Sequence, residues 1–141
     1  MVETFSQTFA VEGKDFFHAG KASTEIKSIL KQLGVDGAAI RRVAIAAYEA
    51  EMNVVMYARK GRMTFTVTPD VITLLVNDEG PGIPDVPLAM QEGYSTATPE
   101  MREMGFGAGM GLPNIKKNAD EFAVESVVGK GTRLRITIHI N

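Results

Sequence analysis

The sequence predicts an α/β (α+β) sandwich, and three observations point there. Apolar residues recur at helical spacing between residues 16 and 57, two separate pairs of short apolar strands follow, and a long glycine-rich segment divides the pairs. With 141 residues, 45% of them hydrophobic, the chain can bury one sizeable core, so residues 1–141 are expected to form a single domain.

The elements follow in order. "ETFSQTFAV" reads as a first strand that pairs with a sheet edge or with a second subunit. From Phe16 to Leu33, Ala19, Ala22, Ile26, Ile29, Leu30 and Leu33 give the spacing of an amphipathic helix, and Gly34 is its expected stop. A second helix opens on Asp36 as N-cap, buries Ile40, Val43, Ala47, Ala50 and Val54, and runs to about Tyr57. "RKG" turns the chain. "RMTFTVTP" and "VITLLVND" then predict a hairpin closed at Pro69 and Asp70. "FAVESVV" and "TRLRITIHI" flank "GKG" as a second hairpin, with Leu134, Ile136, Ile138 and Ile140 turned inward.

Composition closes several functional classes. A formal charge of −2 and a pI near 5.7 give no general basic field for nucleic acid or an anionic membrane, and neither is expected as a partner. Without cysteine there is no disulfide framework and no thiolate metal site. The first residues, "MVETFSQTFAVEG", lack the basic start and apolar core of a leader, and no apolar run approaches the roughly 20 residues of a membrane span. A cytoplasmic location is the expectation.

Between the hairpins, residues 80–111 form a segment too long for a simple connection. Its end, "GFGAGMGLPNIKK", sets Gly105, Gly107, Gly109 and Gly111 on alternate positions before a helix with Pro113 near its first turn. Such a run lets backbone approach an anion closely, and the helix start adds free N–H donors. The two common nucleotide fingerprints are absent. Every Gly-Lys pair lacks a following Ser or Thr, and a dinucleotide pattern begun at Gly105 or Gly107 would need its third glycine at Met110 or Leu112.

On the second helix, Glu49 and Asn53 are four residues apart and share a face, whereas Glu51 lies roughly 200° around from Glu49. A carboxylate beside an amide oxygen suits a Mg²⁺–phosphate site, because Mg²⁺ takes oxygen ligands and keeps waters and phosphates in its shell. Glu51 is assigned to the solvated face. Among the remaining polar residues, Lys116, Lys117 and Arg102 are within sequence reach of phosphates but suit exposed positions equally, and the flexible thioethers of Met101, Met104 and Met110 suit a segment that repacks. Asp120 and Glu121 fit a helix end as well as a partner contact.

Glu-x-x-x-Asn on a helix, "DEGPGI" after a strand, "GFGAGMGL" before a helix and "GKGT" in a late hairpin, in this order, resemble the four boxes of the GHKL superfamily of ATPases: gyrase, heat-shock chaperones, histidine kinases and MutL. The resemblance spans residues 49–132. It implies a two-layer, Bergerat-type ATP-binding fold with a mixed, mostly antiparallel sheet and helices on one face. It also implies that Glu49 is the general base, that Asn53 ligates Mg²⁺, and that Asp78 accepts from the adenine amino group with Thr132 in support. Gly82 would let the purine lie against backbone. Gly80, Ile83, Tyr94, Ser95 and Thr96 would complete the nucleotide contacts, and Gly105, Gly107, Ala108, Gly109, Met110, Gly111 and Leu112 would surround the phosphates under a lid beginning at Gly93.

Within that superfamily, "DEGPGIPD", "EGYST", "GLPNIKK" and "DEF" followed by "GKGT" are most similar to bacterial anti-sigma factors and switch-protein serine/threonine kinases. The implied function is Mg-ATP-dependent phosphorylation of a serine or threonine on a small anti-sigma-antagonist (STAS-like) protein, or capture of a sigma factor, in transcriptional or stress signalling. "ATPEMREM" lengthens the lid relative to the shortest members. Two alternatives stand beside it: a stand-alone histidine-kinase-like catalytic domain, and a non-catalytic module in which ATP gates a binding surface. The first needs a phosphoacceptor histidine, and His18 and His139 lack the acidic, arginine-bearing surroundings of that family's acceptor.

Overall fold

The computed structural model describes residues 4–91 and 111–140. The chain opens with strand β1 (Phe5–Glu12), then helices α1 (Lys21–Gln32) and α2 (Gly37–Tyr57). Strands β2 (Lys60–Val67) and β3 (Val71–Glu79) follow, with a short helix α3 (Val86–Ala89) after them. Helix α4 (Gly111–Asn118) then leads into β4 (Glu121–Val127) and β5 (Gly131–His139).

The sheet has the order β1-β2-β3-β5-β4. All four pairings are antiparallel, so the parallel component expected of a mixed sheet does not occur among the described residues. Of the two places foreseen for the first strand, the structure uses the sheet edge: β1 pairs with β2 from Phe5 opposite Val67 to Glu12 opposite Lys60. Both hairpins form as their alternation requires. Thr68 fastens the first, its hydroxyl accepting from the Asp70 and Val71 amides at 3.3 and 3.1 Å.

The sheet's inner face is apolar for the reason its period implies. Met63 and Phe65 on β2, Ile72 and Leu74 on β3, and Ile136 and Ile138 on β5 alternate inward and are buried. Ile140, just beyond β5, packs on this core only partly buried. Burial of each such large side chain is worth about 1.5–3 kcal/mol relative to exposure. The central helix α2 meets this face with Val43, Ala47, Ala50 and Val54, as its spacing predicts, and is flanked by α1 and α4. The small residues Ala46, Ala47 and Ala50, all fully buried, let its neighbours approach closely.

Helix ends are set by identifiable groups. Asp36 is the N-cap of α2, its carboxylate accepting from the Ala38 amide at 3.1 Å. Gly34, with φ 76°, terminates α1: the amides of Gly34 and Val35 donate to the carbonyls of Lys31 and Leu30, the paired bonds of a Schellman closure.

The start of α1 departs from the sequence reading. The helix begins at Lys21 and not near Phe16, and its N-cap, Gly20, offers no side-chain acceptor. Glu51 supplies what is missing. Its Oε2 accepts from the amides of Gly20 and Ala22 at 3.0 and 3.2 Å, and its Oε1 from Ser23 at 2.9 Å. The assignment of Glu51 to a solvated face is therefore corrected: the residue is 2% exposed and caps a neighbouring helix. Residues 13–20 are tied down at their other end as well. The Lys14 amide donates to the Val55 carbonyl at 2.7 Å and its ammonium to the Met56 carbonyl, satisfying the last turn of α2.

Candidate functional site

Helices α2 and α4 build the first half of the site. The α2 positions Arg42, Glu49 and Asn53 recur at intervals of seven and four, so they form one polar stripe along the side of α2 that faces α4. Leu112 and Ile115 anchor α4 in the core, which leaves its first turn beside Glu49 and Asn53. Gly111 opens that turn. A Cβ built on it would sit 3.3 Å from Asn53 Oδ1 and 3.4 Å from Glu49 Oε2, so the missing side chain leaves a cradle bounded by two oxygens. One carboxylate and one amide oxygen facing a common space suit a hard divalent cation that keeps water or phosphate in the rest of its shell.

Glu49 is half-buried, and burial pushes its carboxyl above the ordinary value. A side-chain hydrogen bond with Asn114, one turn into α4, works in the opposite direction. At the far end of α4, Arg42 Nε donates to the Asn118 carbonyl at 3.0 Å and Arg42 Nη2 meets Asp120 Oδ2 at 3.0 Å. The stripe on α2 thus fixes α4 at both ends.

The other half of the site lies at the end of β3. Gly61 stands opposite Asp78 across the β2–β3 ladder, and Thr132 of β5 approaches from the other side, its amide donating to Asp78 Oδ1 at 3.0 Å. Burial raises the Asp78 carboxyl above its usual range, and the Thr132 amide offsets part of that. Support from Thr132 comes through its backbone. Its hydroxyl pairs with Ser126 Oγ at 2.9 Å, and Ser126 Oγ also accepts from the Ile83 amide at 2.7 Å. Ser126 was not foreseen, although β4 alternation turns it to the same face as Val124 and Phe122.

Gly82 has a structural reason for being glycine. With φ 77°, its backbone lies so close to the β4–β5 turn that a Cβ would come within 2.5 Å of the Val127 carbonyl oxygen. The Gly80 amide donates to the Lys130 carbonyl and the Gly129 amide to the Pro81 carbonyl, so the loop after β3 and the turn before β5 are laced together. The expected break of the strand at "DEGPGI" is a built corner.

Of the sequence-predicted residues, Glu49, Asn53 and Gly111 meet at one place, and Asp78, Gly80, Gly82, Ile83 and Thr132 at another. Leu112 turns its side chain into the core. Tyr94, Ser95, Thr96, Gly105, Gly107, Ala108, Gly109 and Met110 lie outside the described residues, as do Arg102, Met101 and Met104. Lys116 is exposed, and Asp120 is a structural residue that accepts from the His139 amide at 2.7 Å and pairs with Arg42. His18 holds Asp15 Oδ2 at 2.8 Å in the loop before α1, away from the polar stripe of α2.

A family model for the histidine kinase-like ATPase domain matches residues 15–138. The serine/threonine-protein kinase RsbT of Bacillus subtilis (strain 168) is 33% identical over 113 residues, 77% of this chain and 79% of that protein. An anti-sigma F factor of Caldanaerobacter subterraneus subsp. tengcongensis is 34% identical over 124 residues, covering 84% and 83%. Another, from Geobacillus kaustophilus, is 32% identical over 117 residues, covering 83% and 69%. With a matched span running from the loop before α1 to the end of β5, and the carboxylate, amide and glycine positions meeting in the fold, the chain belongs to the histidine kinase-like ATPase family.

Proposed function

We propose that the chain, as a single domain, is an ATP-dependent protein serine/threonine kinase of the switch type, acting on a small STAS-like regulatory protein in the cytoplasm. The observation that carries the reading is the meeting of Glu49, Asn53 and Gly111 at the start of α4. The relatives add support, since they are named as a serine/threonine kinase and as anti-sigma F factors.

In this reading Asp78, with the Thr132 amide behind it, accepts from the adenine amino group, and Gly80, Gly82 and Ile83 border the base. The half-buried Asp78, backed by the Thr132 amide, gives a polar anchor for that amine. Asn53 would be the protein's ligand to Mg²⁺, and Gly111, beside Asn53 and Glu49, would border the phosphates. Bound Mg²⁺ would neutralise phosphate charge during transfer. Glu49 accepts the proton of the acceptor hydroxyl as its oxygen bonds to the γ-phosphorus and the bond to the departing ADP breaks. A carboxyl raised by burial is a stronger base than an exposed one, which suits that role.

The test is incubation with γ-labelled ATP and Mg²⁺ in a lysate of the source cells, beside Glu49→Ala. Acid-stable label on a small protein, lost with the variant, is expected. Acid-labile, alkali-stable label would replace this reading with histidine phosphorylation, and ATP binding without any label would leave a nucleotide-gated binding module.

A further inference from the structure

We propose that Asn114 is a positioning residue for Glu49: its side chain holds the carboxylate in the orientation that receives the acceptor proton, and so ties the geometry of the base to the placement of α4. The proposal rests on the kinase reading above and extends it to a residue of "GLPNIKK" to which the resemblance assigned no role.

The geometry has three parts. Asn114 lies one turn into α4 and makes a side-chain hydrogen bond with Glu49. Gly111, one turn earlier on the same helix, lies so near the pair that a Cβ there would sit 3.3 Å from Asn53 Oδ1 and 3.4 Å from Glu49 Oε2. Arg42 holds the far end of α4 through the Asn118 carbonyl. The α4 helix is therefore seated against one stripe of α2, and its seating decides where Asn114 meets Glu49.

The chemistry gives this contact a purpose. A glutamate has three side-chain torsions, and a base that wanders among rotamers loses effective concentration at the hydroxyl it must serve. An amide donor that engages one carboxylate oxygen fixes the plane of the group and leaves lone pairs on the other oxygen for the incoming proton. Asn114 donates without carrying charge, so it orients Glu49 without the neutralising effect of a lysine or arginine at the same place.

The experiment uses the full chain with Asn114→Ala, Asn114→Asp and Asn114→Ser. Two quantities are read: the single-turnover rate of label transfer from γ-labelled ATP to the lysate protein that the wild type phosphorylates, and the equilibrium affinity for a fluorescent ATP analogue. Asn114→Ala is expected to slow transfer about 10- to 100-fold with ATP affinity changed less than about threefold. Asn114→Asp, which keeps the shape but replaces the donor with a like charge, should slow transfer at least as much. Asn114→Ser, which restores a donor, should recover part of the rate. Transfer at the wild-type rate in the Ala and Asp variants would overturn the proposal, as would a parallel loss of rate and ATP affinity that Ser does not relieve. If the wild-type chain labels no protein, the kinase reading falls and takes the proposal with it; if it labels one and the variants behave as wild type, only the role of Asn114 fails. Thermal melting of each variant identifies any that does not fold, and the isosteric Asp variant decides the matter if Ala is lost.

Discussion

Glu49 and Glu51 stand two residues apart on α2, carry the same side chain and are both withdrawn from solvent, yet their surroundings are opposite. Glu51 is almost wholly buried and accepts from the amides of Gly20, Ala22 and Ser23, so both of its oxygens are committed. Glu49 is less buried, and burial outweighs its hydrogen bond with Asn114, so its carboxyl is held above the ordinary value. Depth of burial does not single out the proposed base. What separates the two is how much of the lost hydration the protein replaces.

The comparison is broken most sharply at Glu49. Glu49→Gln should lower phosphoryl transfer by about 10²- to 10⁴-fold, the usual scale for removal of a general base, with little loss of thermal stability. Single-turnover labelling beside a melting curve checks both halves. A large drop in melting temperature would place Glu49 with Glu51 as a structural residue.

Glu51→Gln should give the converse result. The isosteric amide turns a donor toward amides at the start of α1 and leaves at least one of them unpaired, at a cost of about 3 kcal/mol. Urea denaturation should show a lowered midpoint, while the folded variant keeps its ATP affinity. Because Glu51 also holds the end of the 13–20 loop, amide exchange in Gly20, Ala22 and Ser23 should accelerate before that of β3 or β5.

The same contrast shows what could be read from the sequence. Helical spacing and hairpin alternation located α2 and the strands β2 to β5, because both reflect one apolar core with one inward face, whereas the short α3 has no buried residue to announce it. The order of the motifs brought Glu49, Asn53 and Gly111 to notice, and Asp78 and Thr132 likewise. Glu51 was misread because its angular separation from Glu49 was taken to mean solvent, when that side of α2 is covered by α1. Two signals were available: Glu51 lies in register with the buried Ala47 and Val54, and the predicted first helix had no side-chain cap near its true start. Asn114 sits in a quoted motif and Ser126 on an alternating strand, yet neither pattern names the partner, which each acquires only when distant segments meet. No local rule reports such a contact.

Asp78→Asn should have a smaller effect on binding, about 1.5–3 kcal/mol, if Asp78 accepts from the adenine amine. Calorimetric titration with ATP measures it. Stability should move the other way. Since burial raises the folded-state value above the ordinary 3.8, the folded state holds its proton more firmly, and stability falls as pH rises from that ordinary value through the raised one. Asn escapes this cost and can still accept from the Thr132 amide. Asp78→Asn should therefore melt higher than wild type at neutral pH, with the gap closing as pH falls toward 3.8. A variant that melts lower at neutral pH would mean that the Thr132 contact outweighs desolvation.

The smallest effect is expected at Asp120, where the sign reverses. The His139 amide, ahead of Arg42, holds its carboxyl below the ordinary 3.8, and this surface group thus contributes stability above that value and loses it as pH falls through the lowered folded one. Asp120→Asn should lower stability at neutral pH by less than about 1 kcal/mol, because the amide oxygen can still accept from His139 and a surface ion pair is worth little. Part of the loss should disappear in high salt, which weakens the contribution of Arg42 in the wild type. Melting curves of the two asparagine variants across pH should then differ in sign, Asp78→Asn gaining on wild type as pH rises and Asp120→Asn falling behind it. If both fell behind, Asp78 would be acting as another structural carboxylate like Asp120, and the separation of a stability-costing site from a stability-giving frame would fail at β3 even if it held on α2.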